Sequence, residues 1–314
     1  MINSSKILSI VIPTYNRGNL LDKQLSWAIE SIGDRWDSIE LLVCDNASDD
    51  NTLEVCAKWI EYLSDNIRVF RNDSNVGLVK NCLLGLERAT GKFAWLVGDD
   101  DNVTVEAVDV ICNAIKINQD AGVFLLNHRY VSGIDNSIII PKFYQVLEDV
   151  NIPKQAVSSF SKLLFNHDIR GILFITANVL NREYALQFIE NNPPQDELLI
   201  AYPMLLSAGL ATNHGFYLIA QCLVDCTAYL SSWRDQEKYV QFEAIPKTLL
   251  LFKQLGVDKQ AIMVSMKKQY ENLNSIKDAF YLMRKNPFYL TSSEFKVWAK
   301  RKLLQRNLEK KVLA

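Results

Sequence analysis

Four short apolar runs recur along the first hundred residues, and their spacing constrains the fold more than any other feature. They are ILSIVI at 7–12, IELLVC at 39–44, IRVF at 67–70 and FAWLV at 93–97. Mostly apolar runs of this length suit strands covered on both faces, as in a parallel sheet. Helical stripes fill the gaps. Leu20, Leu21, Leu25, Ala28, Ile29 and Ile32 form the first. Leu53, Cys56, Ala57, Ile60 and Leu63 form the second. Val79, Cys82, Leu83, Leu86 and Ala89 form the third, with Gly91 expected as its C-cap. Strand–helix units of about 30 residues imply right-handed βαβ crossovers and an open α/β sheet.

Beyond residue 120 the pattern loosens. A strand is expected over 123–126 and another over 171–180 (GILFITANVL). A helix is expected from Asp196 through Ser207, stopped by Gly209. Residues 236–314 read as almost entirely helical, broken at Pro287. The expected organisation is therefore a catalytic domain over 1–235, with halves at about 1–120 and 121–235, and a helical extension over 236–314.

Charge divides at the same point. Residues 236–314 carry 16 Lys/Arg against 7 Asp/Glu, whereas 1–235 carry 18 against 29. In the extension, Phe295, Val297, Trp298, Leu303 and Leu304 interleave with Lys296, Lys300, Arg301, Lys302 and Arg306. Such a face suits peripheral contact with an anionic membrane, or packing on the catalytic domain or a second copy in a homo-oligomer. Nucleic acid is a poor partner for an acidic body without a binding motif. No apolar run reaches the length of a membrane span, and the first strand begins too early for a signal peptide. The six cysteines form no CxxC pair, and only Cys222 and Cys226 stand at helical spacing. Reduced thiols in a cytoplasmic protein are expected.

Ligands of open parallel sheets bind at the carboxyl ends of the strands, so the loops there are read together. They are Pro13-Thr14-Tyr15-Asn16-Arg17, Asp45-Asn46-Ala47-Ser48-Asp49-Asp50, Asn72-Asp73-Ser74-Asn75-Val76-Gly77 and Gly98-Asp99-Asp100-Asp101. Three consecutive carboxylates at a strand end repel one another unless a cation neutralises them. Hard oxygen ligands suit Mg²⁺ or Mn²⁺ with a diphosphate sharing the shell. A turn with Asp101 or Asn102 capping the next helix, over 103–117, is the alternative. Asp45 can form an Asx turn or accept bonds from a base and ribose. Arg17 can meet phosphate or pair with an acid, and Tyr15 can stack on a base or pack. Ser48 and Asp49 are expected to cap the second helix.

The runs SIVIPTYNR, LLVCDNASDDNT and RNDSNVGLVKNCLLGLERATGKFAWLVGDDD, over about residues 7–110, resemble the inverting family 2 glycosyltransferases of GT-A fold. The resemblance implies a nucleotide-diphosphate sugar donor, a divalent metal, Mn²⁺ or Mg²⁺, and a saccharide or lipid-linked acceptor in surface polysaccharide synthesis. It implies that Pro13, Tyr15 and Arg17 line the nucleotide pocket and that Asp45 holds the base. Asn75, Gly77 and Lys80 would border nucleotide and sugar. The family's D-x-D-D element falls on Gly98-Asp99-Asp100-Asp101, so its first Asp is missing. One register makes Asp100 the metal ligand, joined by Asp101, with Asp99 facing ribose or sugar; the other pairs Asp99 with Asp101. The family's acidic pair before a later helix corresponds to Gln195-Asp196, which implies Asp196 as general base, with Glu197 as its substitute.

Three histidines, His128, His167 and His214, are scattered and read as structural, with His214 the candidate for a third metal contact. Trp233-Arg234 could touch acceptor or phosphate, and Gly171, Thr176 and Asn178 could wall the acceptor site. Gly98 and Gln195 keep open a rival of the same fold, an inactive sugar-nucleotide-binding or scaffold protein. A nucleotidyltransferase or a dinucleotide-binding dehydrogenase is disfavoured, because no glycine-rich phosphate loop follows the first strand.

Overall fold

The computed structural model describes residues 6–228 and 236–271. The expected units come first: β1 (Leu8–Thr14), α1 (Gly18–Ile32), β2 (Ile39–Asp45), α2 (Thr52–Leu63), β3 (Ile67–Arg71), α3 (Leu78–Arg88) and β4 (Phe93–Leu96). β1 pairs in parallel with both β2 and β4, and β2 pairs in parallel with β3. Then follow β5 (Asn102–Val103), α4 (Ala107–Ile117), β6 (Val123–Ser132), β7 (Ile138–Ile140), β8 (Val150–Ile152), α5 (Val157–Asn166), β9 (Asn178–Asn181), α6 (Arg182–Asn191), α7 (Tyr202–His214) and β10 (Phe216–Ala228). β9 inserts antiparallel between β4 and β6, and β10 returns parallel to β6. The sheet thus runs β3-β2-β1-β4-β9-β6-β10-β5, with β7 beside β6 and β8 beside β10. Its first half is parallel and its second mixed.

Side-chain alternation along each strand builds two cores, one on each face. Leu8, Ile10 and Ile12 of β1, with Phe93 and Trp95 of β4, pack under α1, α2 and α4. Val11, Leu42, Ala94 and Leu96 face α3, α6 and α7 instead. After β10, α8 (Glu237–Tyr239) passes through a π-helical turn into α9 (Ile245–Leu251), and α10 (Lys259–Glu271) follows. Val240, Ile245, Leu249, Phe252 and Ile262 join the second core beside Phe160 and Met204. The interleaved basic residues 295–306 and Trp233-Arg234 lie outside the described residues.

Several local expectations are corrected. The buried stripe of α2 is Thr52, Val55, Cys56, Trp59 and Leu63, while Leu53 and Ile60 face solvent. Both stripes have helical spacing; Trp59 decides, because its indole donates to Asp22 of α1 at 2.6 Å. α3 ends at Arg88 with Ala89 in extended backbone. Gly91 lies instead against β1, where a Cβ would stand 2.7 Å from the Ser9 nitrogen. Neither Ser48 nor Asp49 caps α2; Asp50 accepts from Thr52 N at 2.9 Å and from Gly18 N at 3.0 Å, tying α2 to α1.

Only Asn178–Asn181 of the stretch 171–180 is strand; the rest forms 3-10 turns at Ile169–Ile172 and Ile175–Ala177. Asn178 Nδ2 donates to Phe174 O at 2.6 Å and holds that turn shut. Residues 196–201 are a 3-10 turn, and the helix that follows runs through Gly209 to His214. Gly209 does not stop the helix because it is a packing position, where a Cβ would lie 2.1 Å from the Phe188 ring. The helix ends at Gly215, whose φ of +93° suits glycine. Cys222 and Cys226 fall on β10, not on a helix, and all six cysteines are unpaired. Among the described residues no helix is long and apolar enough to cross a membrane.

Candidate active site

The carboxyl ends of β1, β2, β3 and β4 lie along one edge of the sheet, so their loops form a single surface. β1 ends on Thr14, and its buried hydroxyl donates to Asp99 Oδ2 at 2.7 Å. Arg17 reaches the same acids, with Nη1 at 3.0 Å from Asp99 Oδ1 and 2.7 Å from Asp100 Oδ2. Burial alone would lower the Arg17 pKa, but Asp100 and Asp99 outweigh it and raise it. Asp99 is pushed up by burial, against the opposing pull of Thr14 and Arg17.

Asp101 is the most perturbed acid of the edge. Burial first, then the neighbouring Asp100 charge, push its carboxyl up to about 7. Its Oδ2 accepts the Thr176 hydroxyl proton. It does not cap α4, whose N-cap is Glu106. The acids converge over Gly98. From the point a Cβ would occupy there, Asp101 Oδ2 is 2.5 Å away and Asp100 Oδ1 3.3 Å. A side chain at 98 would fill this cradle of hard oxygen atoms, which fits a divalent cation. Among the described residues no group of three or more His, Cys, Asp or Glu is arranged to hold a metal. Phosphate and water oxygens would therefore complete any shell on Asp100 and Asp101, as Mg²⁺ and Mn²⁺ commonly accept.

The other loops are stiffened by side chains. Asn16 takes φ +53°, tolerable for asparagine, and receives support from both directions. Its N–H donates to Ser48 Oγ at 2.9 Å, and its Oδ1 accepts from Asp49 N at 2.8 Å. Asp45 is fully buried, with Oδ1 bonded to Ser48 and Oδ2 to Arg71. Each of its oxygens has a partner within the protein, and Asp45 braces the loop from beneath. Asn46 fastens the third loop: its Nδ2 donates to Asn75 Oδ1 at 2.8 Å, and its Oδ1 accepts from Val76 N and Asn72 Nδ2, each at 3.0 Å. Asn75 also accepts from Gly77 N at 2.8 Å, and Gly77, at φ +86°, starts α3. Pro13 is buried within β1, whereas Tyr15 is 42% exposed and free to meet a ligand face.

Lys80 and Asp196 are 116 residues apart in sequence, yet Lys80 Nζ lies 3.1 Å from Asp196 Oδ1. Asp196 opens the 3-10 turn before α7 with its side chain largely in solvent. Glu197 points elsewhere, with its Oε2 3.7 Å from Lys247 Nζ. The edge therefore gathers Tyr15, Arg17, Asp99, Asp100 and Asp101, and the Lys80–Asp196 pair joins α3 to the turn before α7.

The histidines lie elsewhere. His214 stacks on Tyr184 at 3.8 Å and precedes β10, which starts at the same edge as β4; it is thus at the far end from the acids. His128 is buried against Phe143 and Phe174, and His167 packs on Tyr144. Of the residues expected to wall an acceptor site, Thr176 turns to Asp101, and Asn178 is buried, accepting from Ser207 at 2.9 Å. Sequence reading placed Thr14 and Asn46 in the strand-end loops without a role and passed over Arg71. Arg71 had a signal, since it ends β3 opposite Asp45 at the end of β2.

Comparison with known proteins agrees with this architecture. The model of glycosyl transferase family 2 matches residues 9–169, just over half the chain. The chain is 28% identical over 123 residues to abequosyltransferase RfbV of Salmonella typhimurium, covering 39% of this chain and 36% of that protein. It is 25% identical over 188 residues to the Escherichia coli UDP-Glc:alpha-D-GlcNAc-diphosphoundecaprenol beta-1,3-glucosyltransferase WfgD, covering 58% of this chain and 65% of that one. The match to RfbV thus spans about a third of its length and that to WfgD just under two thirds. Among solved structures, S. aureus TarS 1-349 in complex with UDP superposes with a TM-score of 0.60 at 19% identity, over 91% of this chain and 75% of that chain. The mannosyltransferase PcManGT of Pyrobaculum calidifontis, in complex with GDP-Man and Mn2+, gives 0.54 at 15% identity over 95% of this chain and 84% of that one. The fold is thus GT-A, as the resemblance of residues 7–110 implied, and the chain belongs to glycosyl transferase family 2.

Proposed function

We propose that this chain transfers a sugar from a nucleotide-diphosphate donor to a saccharide or lipid-linked acceptor, with inversion at the anomeric carbon. The contact between Lys80 and Asp196 carries the reading, because it brings a cation beside the donor loops to a carboxylate of the acceptor half. The donor diphosphate would lie over Gly98 and the nucleoside over the loop that Asp45 and Asn46 brace, beside Tyr15. Complexes of TarS with UDP and of PcManGT with GDP-Man support a uridine or guanosine donor.

Asp100 and Asp101 would hold a divalent cation, which supplies neutralising charge for the departing diphosphate. The acceptor hydroxyl attacks the anomeric carbon as the bond to the diphosphate breaks, and Asp196 accepts the hydroxyl proton. One displacement inverts the centre, and no covalent nucleophile is used. Arg17 is positioned to move from Asp99 and Asp100 onto phosphate. Glu197, turned to Lys247, serves less well than Asp196. The WfgD acceptor, a sugar on diphosphoundecaprenol, supports a membrane-borne acceptor, with the basic extension over 236–314 as a peripheral membrane contact.

The test is Asp196→Asn, assayed with UDP- and GDP-sugars and Mn²⁺. Donor binding should persist while transfer falls by about a hundredfold or more, the usual share of a general base. Near-normal turnover moves the base elsewhere. Donor binding with no transfer in the native protein, across acceptors, favours the inactive binding reading.

A further inference from the structure

We propose that Thr176 is a positioning residue that folds Asp101 over Gly98, so that Asp101 supplies the second metal carboxylate. Gly98 stands where the family pattern carries its first Asp. The proposal rests on the reading of Asp100 and Asp101 as the metal pair.

Hydrogen-bond polarity fixes the arrangement. Gly98 N–H can only donate, and it donates to Thr176 Oγ1 at 2.9 Å. The single hydroxyl proton of Thr176 is thereby left for Asp101 Oδ2, and it is spent there. The oxygen so held, Asp101 Oδ2, is the one that faces the space over Gly98, and its second lone pair is left for a ligand there. Thr176 is itself fixed: it is 1% exposed, and its carbonyl accepts from the Trp95 indole at 2.8 Å. Trp95 is fully buried in β4 and meets Trp27 of α1 edge-on at 5.6 Å. The turn carrying Thr176 enters β9, which pairs antiparallel with β4 from Trp95↔Val179.

Gly98 is the complementary half of the device. A Cβ there would lie 2.5 Å from Asp101 Oδ2, so any side chain would drive Asp101 off Thr176. Glycine at 98 and threonine at 176 therefore act on the same carboxylate. Glycine removes a carboxylate and opens the space; threonine brings the next carboxylate into it. An arrangement with two aspartates flanking one residue becomes one with two adjacent aspartates converging.

The experiment measures Mn²⁺ binding by electron paramagnetic resonance, with Mn²⁺ alone and with Mn²⁺ plus UDP or GDP. It uses the full chain and the variants Thr176→Val, Thr176→Ser, Gly98→Ala and Asp100→Asn. Thr176→Val should weaken Mn²⁺ binding by about 10- to 100-fold, the range for loss of a group that orients a metal ligand. Thr176→Ser, which keeps the hydroxyl, should stay within about twofold of the native protein, and Gly98→Ala should behave like Thr176→Val. Should Thr176→Val fail to fold, Thr176→Ser and Gly98→Ala carry the comparison. Native affinity in Thr176→Val or in Gly98→Ala, with Asp100→Asn impaired, overturns the proposal and leaves the metal reading standing. A serine variant as weak as the valine variant also overturns it, because the hydroxyl would not be the active group. Absence of Mn²⁺ binding by the native protein under every condition overturns the metal reading itself.

Discussion

Lowering the pH from 7 to 5 should destabilise the protein by about 2 kcal/mol through His128 alone. His128 is 1% exposed, stacks on Phe143 at 4.5 Å, and meets Phe174 and Tyr144 edge-on. Its ring has one weak backbone contact, Nδ1 to Leu126 O at 3.4 Å. Burial lowers its pKa from 6.5 to about 4, so the folded protein keeps the ring neutral where the unfolded chain takes up a proton. The unfolded state therefore binds more protons between those values, and stability falls as pH drops below 6.5. At about 1.4 kcal/mol per pH unit, 1.5 units gives about 2 kcal/mol at pH 5, and the loss levels off near pH 4. His167 and His214 are also lowered, burial being the first cause of each, and act in the same direction. His128→Phe isolates the term, since it keeps the aromatic stack and cannot titrate. Urea unfolding of both proteins at half-unit steps from pH 7 to 5 would measure it. Curves that fall in parallel, with the difference changing by less than about 0.5 kcal/mol, would refute the neutral buried ring.

Asp100→Asn should remove Mn²⁺-dependent donor binding, read as loss of the metal-dependent thermal shift with UDP- or GDP-sugars; an unchanged shift would sink its role. Gly209→Ala should cost about 1–3 kcal/mol, because its methyl enters the Phe188 ring where α7 crosses α6. Urea unfolding checks it, and native stability would mean that the two helices separate at little cost.

The parallel half of the fold was legible because β1, β2 and β4 are buried at every position, and such burial writes itself as largely apolar runs. The second half was not, for local reasons. Residues 171–177 are as apolar as a strand, but Asn178 turns its amide back onto Phe174 O and closes a turn, which hydropathy does not record. In α2, two overlapping stripes were both consistent with a helix; the buried one packs Val55, Cys56, Trp59 and Leu63 into the core and adds the Trp59–Asp22 bond, a long-range contact that periodicity does not record. The acids at the end of β4 were readable as a strand-end cluster. Their partners Thr14 and Thr176 were not, since the hydroxyls come from positions 85 and 75 residues away. For Asp45 the sequence offered an Asx turn and, through the family resemblance, a contact with a base; its pairing with Arg71 was not visible, because it depends on strand order, which the sequence implies only once the sheet is assembled.

The position of β9 bears on how the chain can be cut. β4 is a four-residue apolar strand, Phe93–Leu96, buried at every position. One of its edges is closed by β1 early in synthesis, but the other waits for Asn178–Asn181, more than eighty residues later. A fragment ending near residue 120 would contain every nucleotide-side loop and still expose that apolar edge, a template for pairing with another chain. The half proposed to bind the donor is therefore a poor candidate for an independent module, and truncations that omit β9 would be expected to associate.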